Sequence, residues 1–189
     1  MRIIAGTHRG TRLKEPAHVT RPTSDRVREA IFNVLSHVVP EAKVLDLFAG
    51  TGALGLEALS RGSASCLFVD NDSQALHCLR QNIAHTKFPN AKVIEGDAVQ
   101  FIEKPRGPQL FDLILADPPY YRNGAPDLAG PLLSSSLPLV NGGIFMLEVE
   151  AERPSPEGLE DLKLIKRKNY GKTSILYFEK IEKHPTPTN

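Results

Sequence analysis

The chain has 189 residues with a formal net charge of +1, and 41% of them are hydrophobic, which is enough for one domain with a substantial core and excludes a disordered chain. Only Cys66 and Cys78 occur, and no His or Cys cluster indicates a metal or a disulfide. No run approaches the roughly 20 apolar residues of a membrane span, and the N-terminus lacks a signal-peptide core, so we expect a cytoplasmic protein without membrane contact.

Charge is unevenly distributed along the chain. Residues 1–28 carry seven Lys or Arg against two Asp or Glu, and residues 163–189 carry the same numbers, whereas residues 29–162 carry nine against eighteen. Basic ends around an acidic centre fit a polyanion bound at the rim of the protein and a cationic ligand held inside. Ordinary solvated surface charge is the alternative interpretation, and counts alone do not distinguish the two.

The predicted elements begin with a short N-terminal arm and a helix. Residues 2–5 and 11–14 have the pattern of two strands around a Gly-containing turn, which predicts a β-hairpin. Ser24 or Asp25 then caps a helix in which apolar residues recur at helical spacing. These apolar positions are Val27, Ile31, Val34, Leu35 and Val38.

A glycine-rich loop connects the strand predicted at 44–48 to the helix predicted at 53–61. Its glycines, in the pattern G-x-G-x-x-G, are Gly50, Gly52 and Gly55. This context is typical of a loop that holds an adenosine cofactor. Asp46 precedes the loop, and no Lys or Arg lies nearby, which disfavours a diphosphate and favours the cationic cofactor S-adenosylmethionine. Alternatively, Asp46 caps backbone amides at the end of the strand.

Carboxylates also follow the next two strands. Asp70 ends the strand at 66–69, where its two oxygens can accept hydrogen bonds from both ribose hydroxyls of an adenosine. Asp97 follows the strand at 91–94 and can accept a hydrogen bond from an adenine amine, cap the next helix, or do both. Asp72 is interpreted as the N-cap of the helix that follows it.

The strand predicted at 111–116 ends in the most informative stretch, Asp117-Pro118-Pro119-Tyr120. The prolines stiffen this loop and remove two amide donors, so its carbonyl groups are free to accept hydrogen bonds. The carboxylate of Asp117 and a rigid carbonyl can accept from one amine, while the ring of Tyr120 can stack on a flat ring. These features predict a site for the exocyclic amine of a nucleobase.

The alternation of apolar strands and amphipathic helices predicts a parallel sheet that is covered on both faces. The remaining helices are expected over 73–85, 98–104 and 127–137, and a fifth core strand is expected over 143–149. Two last strands, 162–168 and 174–179, have no helix between them and predict an antiparallel hairpin at the sheet edge. We expect one domain over 1–180, with a basic arm over 1–20, a catalytic core over 43–180 and a disordered tail over 181–189.

Several blocks together resemble one family. They are Arg2-Ile3-Ile4-Ala5-Gly6 with Arg9-Gly10, the run from Arg21-Pro22-Thr23 to Glu29, the run from Asp46 to Ala58, Asp117–Tyr120, and Tyr170-Gly171 with Thr173. The chain thereby resembles the bacterial small-subunit ribosomal RNA guanine-N2 methyltransferases, which are class I S-adenosylmethionine-dependent enzymes. The resemblance implies an α/β, Rossmann-like fold with seven strands, mostly parallel and the last antiparallel. It also implies methylation of guanine 966 of 16S ribosomal RNA and release of S-adenosylhomocysteine.

The candidate site residues form three groups. The catalytic group is Asp117 and the Pro118 carbonyl, which would accept the two N2 hydrogens of guanine, and Tyr120, which would stack on the base. The cofactor group is Asp46, Phe48, Gly50, Thr51, Gly52, Gly55, Asp70, Asp97 and Ala98. The RNA group is Arg2, Arg9, Arg12, Arg21, Arg26 and Arg28, as contacts to phosphates. We expect a monomer that acts on 16S ribosomal RNA in an assembled or partly assembled small subunit.

Other functions share parts of this pattern. An adenine-N6 methyltransferase could use the same four-residue loop, whereas a glutamine methyltransferase usually has Asn where Asp117 stands. A nicotinamide-dependent oxidoreductase shares the glycine loop but leaves Asp46 and the Asp117–Tyr120 loop unexplained. A non-catalytic module for ribosome assembly would leave that loop unused.

Overall fold

The computed structural model describes residues 1–16, 24–103, 110–120, 127–135 and 137–182. The described helices are α1 (Asp25–Val34), α2 (Ala53–Ser60), α3 (Ser73–Thr86), α4 (Ala98–Glu103) and α5 (Ala129–Ser134). The described strands are β1 (Lys43–Leu47), β2 (Ser65–Asp70), β3 (Ala91–Glu95), β4 (Phe111–Ala116), β5 (Leu139–Glu150), β6 (Leu162–Tyr170) and β7 (Thr173–Lys180). Among these helices, none has the length and apolar character that crossing a bilayer requires.

All seven strands belong to one sheet in the order β3-β2-β1-β4-β5-β7-β6. Strands β1 to β5 pair in parallel, and β7 runs antiparallel to both β5 and β6. The predicted α/β fold and the predicted antiparallel hairpin at the edge are therefore confirmed. The strand order reverses at β1 and β4, and the crevice at the carboxyl ends of two such strands is where ligands bind in open α/β sheets.

The core lies on both faces of the sheet. One cluster of buried side chains packs the arm and helices α1, α2 and α3 against one face, and the other packs α4 and α5 against the opposite face. Phe32 of α1 is fully buried although it falls outside the predicted apolar positions of that helix. Ser24 is the N-cap, as predicted, because its Oγ accepts a hydrogen bond from the amide of Val27 at 3.3 Å.

Most elements agree with the predicted bounds to within one or two residues, and α5 and β5 differ by more. Helix α5 is shorter than the predicted 127–137, because Asp127 lies outside it and accepts hydrogen bonds from the amides of Ala129 (3.1 Å) and Gly130 (3.2 Å). Strand β5 begins at Leu139 rather than at 143. Its pairing with β4 shifts register between Phe111 and Leu113, so β5 continues through a Gly pair that interrupts its apolar pattern.

The N-terminal arm is the predicted hairpin, reduced to a single bridge between Arg2 and Arg12. Helix α2 holds it in place, since the buried Glu57 accepts hydrogen bonds from the amides of Ile4 (2.7 Å) and Ala5 (3.1 Å). The approach is close at Gly6, which has a φ of +80°, because a Cβ there would lie 1.7 Å from the carbonyl oxygen of Ser60. The arm is thus docked onto the helix that follows the glycine loop.

Candidate functional site

The carboxyl ends of β1, β2 and β4 bring the predicted site residues to one edge of the sheet. Leu47 of β1 pairs with Val69 of β2 on one side and with Ala116 of β4 on the other. The residues that follow these strands therefore lie side by side. They are the glycine loop, Asp70 and the Asp117–Tyr120 loop, which the sequence places far apart.

The glycine loop has the backbone that its sequence predicts. Phe48, Gly50 and Gly52 have positive φ angles of 56°, 55° and 84°. A Cβ at Gly52 would lie 2.4 Å from Cδ1 of Leu79, and one at Gly55 would lie 2.3 Å from Cε1 of Phe68, so close packing requires both glycines. At Gly50, no atom of the described residues comes within 4 Å of such a Cβ, which leaves room for a ligand to approach the backbone.

The positive φ of Phe48 is unusual for a bulky residue. Such a residue adopts the left-handed region of backbone conformation only when the surrounding structure imposes it. Strained backbone of this kind concentrates at ligand-binding turns. Thr51, the next predicted contact of the loop, is buried, and its carbonyl oxygen accepts a hydrogen bond from Nδ2 of Asn82 at 3.0 Å. Helix α3 therefore fixes the loop from behind.

Asp46 is 1% exposed, and its Oδ2 accepts a hydrogen bond from the amide of Gly55 at 2.8 Å. The alternative role of capping a backbone amide is thus present in the structure. Burial raises the pKa of this carboxyl well above its ordinary value, and the charges of Asp70 and Asp117 raise it further, while the Gly55 hydrogen bond opposes the shift. A nearby cation would favour the ionised form, so the predicted contact with a cationic cofactor fits this environment and stays a prediction.

Asp70 and Asp72 support the loops around this edge. Oδ2 of Asp70 accepts a hydrogen bond from the amide of Gly50 at 2.7 Å, and its Oδ1 accepts from the amide of Asp72 at 2.8 Å. Asp72 is the N-cap of α3, as predicted, since its Oδ1 accepts from the amides of Gln74 and Ala75. Asp70 therefore ties the glycine loop to β2, while its predicted ribose contact is a separate expectation.

Asp97 has the capping role that the sequence left open, because its Oδ1 accepts a hydrogen bond from the amide of Gln100 at 2.8 Å. Ala98, the first residue of α4, is buried. Both residues follow β3, which pairs with β2 up to Asp70 and Glu95. They lie at the same sheet edge as the glycine loop, and their contact with an adenine stays a prediction.

The Asp117–Tyr120 loop is held at its far end. Pro118 is buried, and the hydroxyl of Tyr120 donates a hydrogen bond to Oε1 of Glu148 at 2.8 Å and contacts Oγ1 of Thr173. Burial raises the pKa of the Tyr120 hydroxyl, the Thr173 hydrogen bond opposes this, and the charge of Glu148 adds to it. The phenol is therefore protonated at neutral pH, and its ring has a fixed position.

A cleft beside this loop was not predicted from the sequence. Its empty volume is about 200 Å³ including its open mouth, and Pro118, Tyr120 and Glu148 line one part of it. Arg153 and Asp127 line another part, and Arg153 donates two hydrogen bonds to Asp127, at 2.8 and 2.9 Å. Glu148 interrupts the apolar run of β5, and that exception is the signal by which the sequence could have identified it.

The predicted RNA contacts divide into two classes. Arg9, Arg12 and Arg26 are exposed, and Arg2 is exposed and pairs with Asp25 at 3.1 Å. Arg21 lies outside the described residues.

Arg28 requires a correction, because its side chain is 0% exposed and offers no surface to a phosphate. Its Nη2 donates hydrogen bonds to the carbonyl oxygen of Arg2 (2.6 Å) and to Oδ1 of Asp25 (2.9 Å). Burial lowers the pKa of the guanidinium, and the charges of Asp25 and Glu57 oppose this shift. Arg28 therefore connects the arm to α1, and its prediction as an RNA contact was wrong.

Within the described parts of the chain, no group of three or more His, Cys, Asp or Glu side chains has an arrangement that could hold a metal ion. Cys66 is buried and Cys78 is partly buried, and both are free thiols.

Comparison with known proteins gives consistent matches. The family described as conserved hypothetical protein 95 matches residues 1–179. Ribosomal RNA small subunit methyltransferase D of Escherichia coli strain K12 is 35% identical over 181 residues, which cover 95% of this chain and 90% of that protein. A solved Escherichia coli structure, provisionally described as a methyltransferase, is 34% identical with a TM-score of 0.83 and covers 96% of this chain and 98% of its own.

A more distant structure shares the fold. The 16S rRNA N2 G1207 methyltransferase RsmC of Thermus thermophilus, solved with S-adenosylmethionine and guanosine, is 24% identical with a TM-score of 0.68. The match covers 87% of this chain and 44% of that protein. At this identity, the likeness supports the fold alone.

Proposed function

The chain belongs to the family described as conserved hypothetical protein 95 and is an S-adenosylmethionine-dependent ribosomal RNA methyltransferase, and we propose that it methylates the exocyclic N2 amine of one guanine in small-subunit RNA. The proposed base is guanine 966 of 16S RNA. One observation carries the proposal. The Asp117–Tyr120 loop, with its paired acceptors and aromatic ring, follows β4, and β4 pairs with β1, the strand that leads into the glycine loop.

The residues at this edge fit S-adenosylmethionine. Asp46 and Asp70 place carboxylates beside the glycine loop, and no Lys or Arg occurs from Val44 to Ser60, as a cationic cofactor without phosphate requires. The open space at Gly50 lets a ligand reach the backbone. When bound, the cofactor supplies a methyl group on a positively charged sulfur. We propose that the nine cofactor positions named from the sequence hold it.

The chain's own residues would act on the amine. The N2 lone pair of guanine is delocalised into the ring, so the amine is a poor nucleophile. Asp117 and the carbonyl oxygen of Pro118 would accept its two hydrogens and turn the lone pair toward the methyl group. One N2 proton passes to water during or after transfer, and orientation of the amine by Asp117 is sufficient for this scheme. Such positioning can contribute roughly 7–11 kcal/mol in favourable cases.

Tyr120 would stack on the flipped base. Its ring is held by the contacts of its hydroxyl with Glu148 and Thr173, so the stacking surface is formed before RNA arrives. Flipping a base costs a few kcal/mol. Phosphate contacts of the exposed arm residues Arg2, Arg9 and Arg12 would offset part of this cost.

We also propose that residues 1–180 form one methyltransferase domain, which works as a monomer on an assembled or partly assembled small subunit. Within these residues, the proposed phosphate contacts belong to the arm and α1, so we expect a particle that presents the base to be the better substrate.

The experiment is methyl transfer to small subunits and to free 16S RNA, both from a strain that lacks this enzyme, with base-resolved analysis of the product. The expected product is N2-methylguanine at position 966, and the expected rate is higher with subunits. N6-methyladenine, or a methylated guanine at another position, would overturn the substrate assignment. Equal rates on free RNA and subunits would overturn the particle requirement alone.

A further inference from the structure

The turn between β6 and β7 lies at the site. Strand β7 pairs with β5 so that Thr173 faces Glu150, which places the turn at the carboxyl end of β5. The amide of Ala151, just after β5, donates a hydrogen bond to the carbonyl oxygen of Lys172 at 3.0 Å. Since Thr173 also contacts the hydroxyl of Tyr120, the turn adjoins the proposed base-stacking residue directly.

The segment that enters this turn is strongly basic. Residues 163–172 contain five Lys or Arg and no Asp or Glu. Arg167 is used internally, because its Nη2 donates hydrogen bonds to the carbonyl oxygen of Ala151 (2.7 Å) and to Oγ of Ser174 (3.1 Å). Lys166, Lys168 and Lys172 are exposed. These three residues are called the hairpin lysines below.

Two of the hairpin lysines, Lys166 and Lys168, share a face of β6 because they are two residues apart in one strand. A register shift lies between Leu164 and Lys166, after which Lys166 faces Tyr177 and Lys168 faces Ile175. Tyr177 and Ile175 belong to the core cluster that also contains Ile3 of the arm. Lys166 and Lys168 therefore project from the same face of the sheet that the arm covers.

No salt bridge of the described residues includes a hairpin lysine. The nearest acidic residues along the hairpin are Glu179 and Asp161, at its other end, where Asp161 pairs with Lys180 at 2.5 Å. On the β5 side, Glu150 and Glu152 flank Ala151, which bonds to the turn. Glu148 and Glu150 also line the cleft, so the positive charge of the turn lies beside the cleft and not in its lining.

We propose that the hairpin lysines bind backbone phosphates of the RNA on the flank of the target base toward β6. The arm is bound to α2 and α3 on the same face, over the part of the sheet that contains β1 and β2, and would hold the other flank. This inference rests on the proposed function, because it assumes that RNA delivers a base to Tyr120. A flipped base needs its flanking nucleotides held, and charges on one side alone would let the strand pivot. The arm arginines and the hairpin lysines would hold the two flanks.

Lysines on an edge strand have another common role, which is to prevent edge-to-edge pairing with a second chain. That role covers Lys166 and Lys168, which lie on the edge strand β6. It does not cover Lys172, which lies in the turn and outside the β6–β7 ladder. The position of the charge beside the site is thus better explained by a bound polyanion.

The test compares two triple variants of the full chain. The hairpin variant is Lys166→Gln, Lys168→Gln and Lys172→Gln. The matched control is Lys43→Gln, Lys92→Gln and Lys163→Gln, which removes the same charge from exposed positions at or near the amino ends of β1, β3 and β6. Binding to unmethylated small subunits is measured against salt concentration, together with methyl transfer, S-adenosylmethionine affinity and gel filtration.

The hairpin variant is expected to bind subunits about tenfold more weakly or worse, with a salt slope smaller by about 2 because three phosphate contacts are lost. The S-adenosylmethionine affinity of the hairpin variant should equal that of the wild type. The control variant should equal the wild type in subunit binding, salt slope and methyl transfer. Equal slopes for both variants, while the wild type methylates guanine, would overturn this inference and leave the proposed function intact. Aggregation of the hairpin variant with unchanged binding by its monomer would assign the lysines to edge protection. A wild type that neither binds nor methylates the subunits would overturn the proposed function itself.

Discussion

At the scale of single residues, the site is defined by three neighbouring carboxyl groups whose negative charges repel one another. Asp46 is the most buried of the three at this edge, and Asp70 and Asp117 disfavour its ionisation. A cation bound among them would relieve this repulsion. We therefore expect Asp46 to make the affinity for a cationic cofactor depend on pH.

Asp46→Asn tests the raised pKa of this carboxyl through the stability of the protein. Because burial raises the folded-state pKa of Asp46 above its unfolded value, this carboxyl contributes stability below the unfolded pKa, and the contribution is lost as pH rises through the folded pKa. The Asn variant cannot ionise, so its Tm relative to wild type should increase with pH. Thermal unfolding without cofactor, from about pH 5 to pH 9, checks this. A difference in Tm that stays constant with pH would contradict the raised pKa.

Asp117→Ala should abolish methyl transfer and leave S-adenosylmethionine affinity nearly unchanged, because the residue is assigned to the amine. The control is Asp112→Asn at the other end of β4, where the carboxylate accepts a hydrogen bond from the amide of Lys43 at 2.8 Å. Single-turnover transfer and calorimetry provide the two readouts. If the Ala variant keeps more than about a tenth of the wild-type rate, a change of only ~1.4 kcal/mol, the assigned role is wrong.

At the scale of elements, α2 connects the glycine loop to the arm. Its first turn follows the glycine loop, and farther along the helix Glu57 accepts hydrogen bonds from two arm amides and from Nε of Arg61 at 2.7 Å. Because three donors share one buried carboxylate, removing it would leave these donors unsatisfied and lower the free energy of unfolding. The position of the arm thus depends on the same helix that follows the glycine loop.

Glu57→Gln should loosen the arm, because an amide has one acceptor oxygen and directs its own N–H donors at the backbone amides. We expect a loss of about 1–3 kcal/mol in the free energy of unfolding and faster hydrogen exchange at the amides of Ile4 and Ala5. Urea denaturation and exchange measured by NMR provide the readouts, with the exposed Glu95→Gln as the control. Unchanged exchange at Ile4 and Ala5 would show that Glu57 does not hold the arm.

The elements themselves could be predicted from sequence because they are encoded locally. Continuous apolar runs gave β1 to β4, and β4 has the predicted bounds Phe111–Ala116. The Asp117–Tyr120 loop was equally readable, since all of its chemistry lies in four consecutive residues. The contacts that hold Tyr120 were not readable, because Glu148 and Thr173 are 28 and 53 residues away in sequence.

The burial of Arg28 shows the same limit from the other side. A helix pattern identifies one apolar face, but it does not indicate which polar residues on α1 the arm will cover. Arg28 was therefore assigned to the surface with the neighbouring Arg26, whereas the structure buries the first and exposes the second. The sequence of α1 predicts that this region is charged. Which of its charged side chains are exposed to solvent depends on how the arm, a distant segment, packs on the helix.

At the scale of the whole molecule, positive charge surrounds an acidic site. Arg9→Gln with Arg12→Gln should weaken binding to small subunits and reduce the salt slope by about 1.4, because two exposed phosphate contacts are removed. The control is Arg80→Gln on α3, which is exposed and pairs with Glu95. Binding titrations at several salt concentrations measure the effect. An unchanged slope would place the RNA surface away from the arm.

The order of the sheet also determines when this protein can begin to work during its own synthesis. Strand β7 is later in the chain than every other strand, yet it occupies an interior place between β5 and β6. A nascent chain that has emerged from the ribosome only as far as β6 lacks the partner of both neighbours and the Thr173 contact of Tyr120. A premature stop codon before β7 would therefore remove an interior strand of the sheet, not an edge strand. We expect the truncated chain to lack methyltransferase activity.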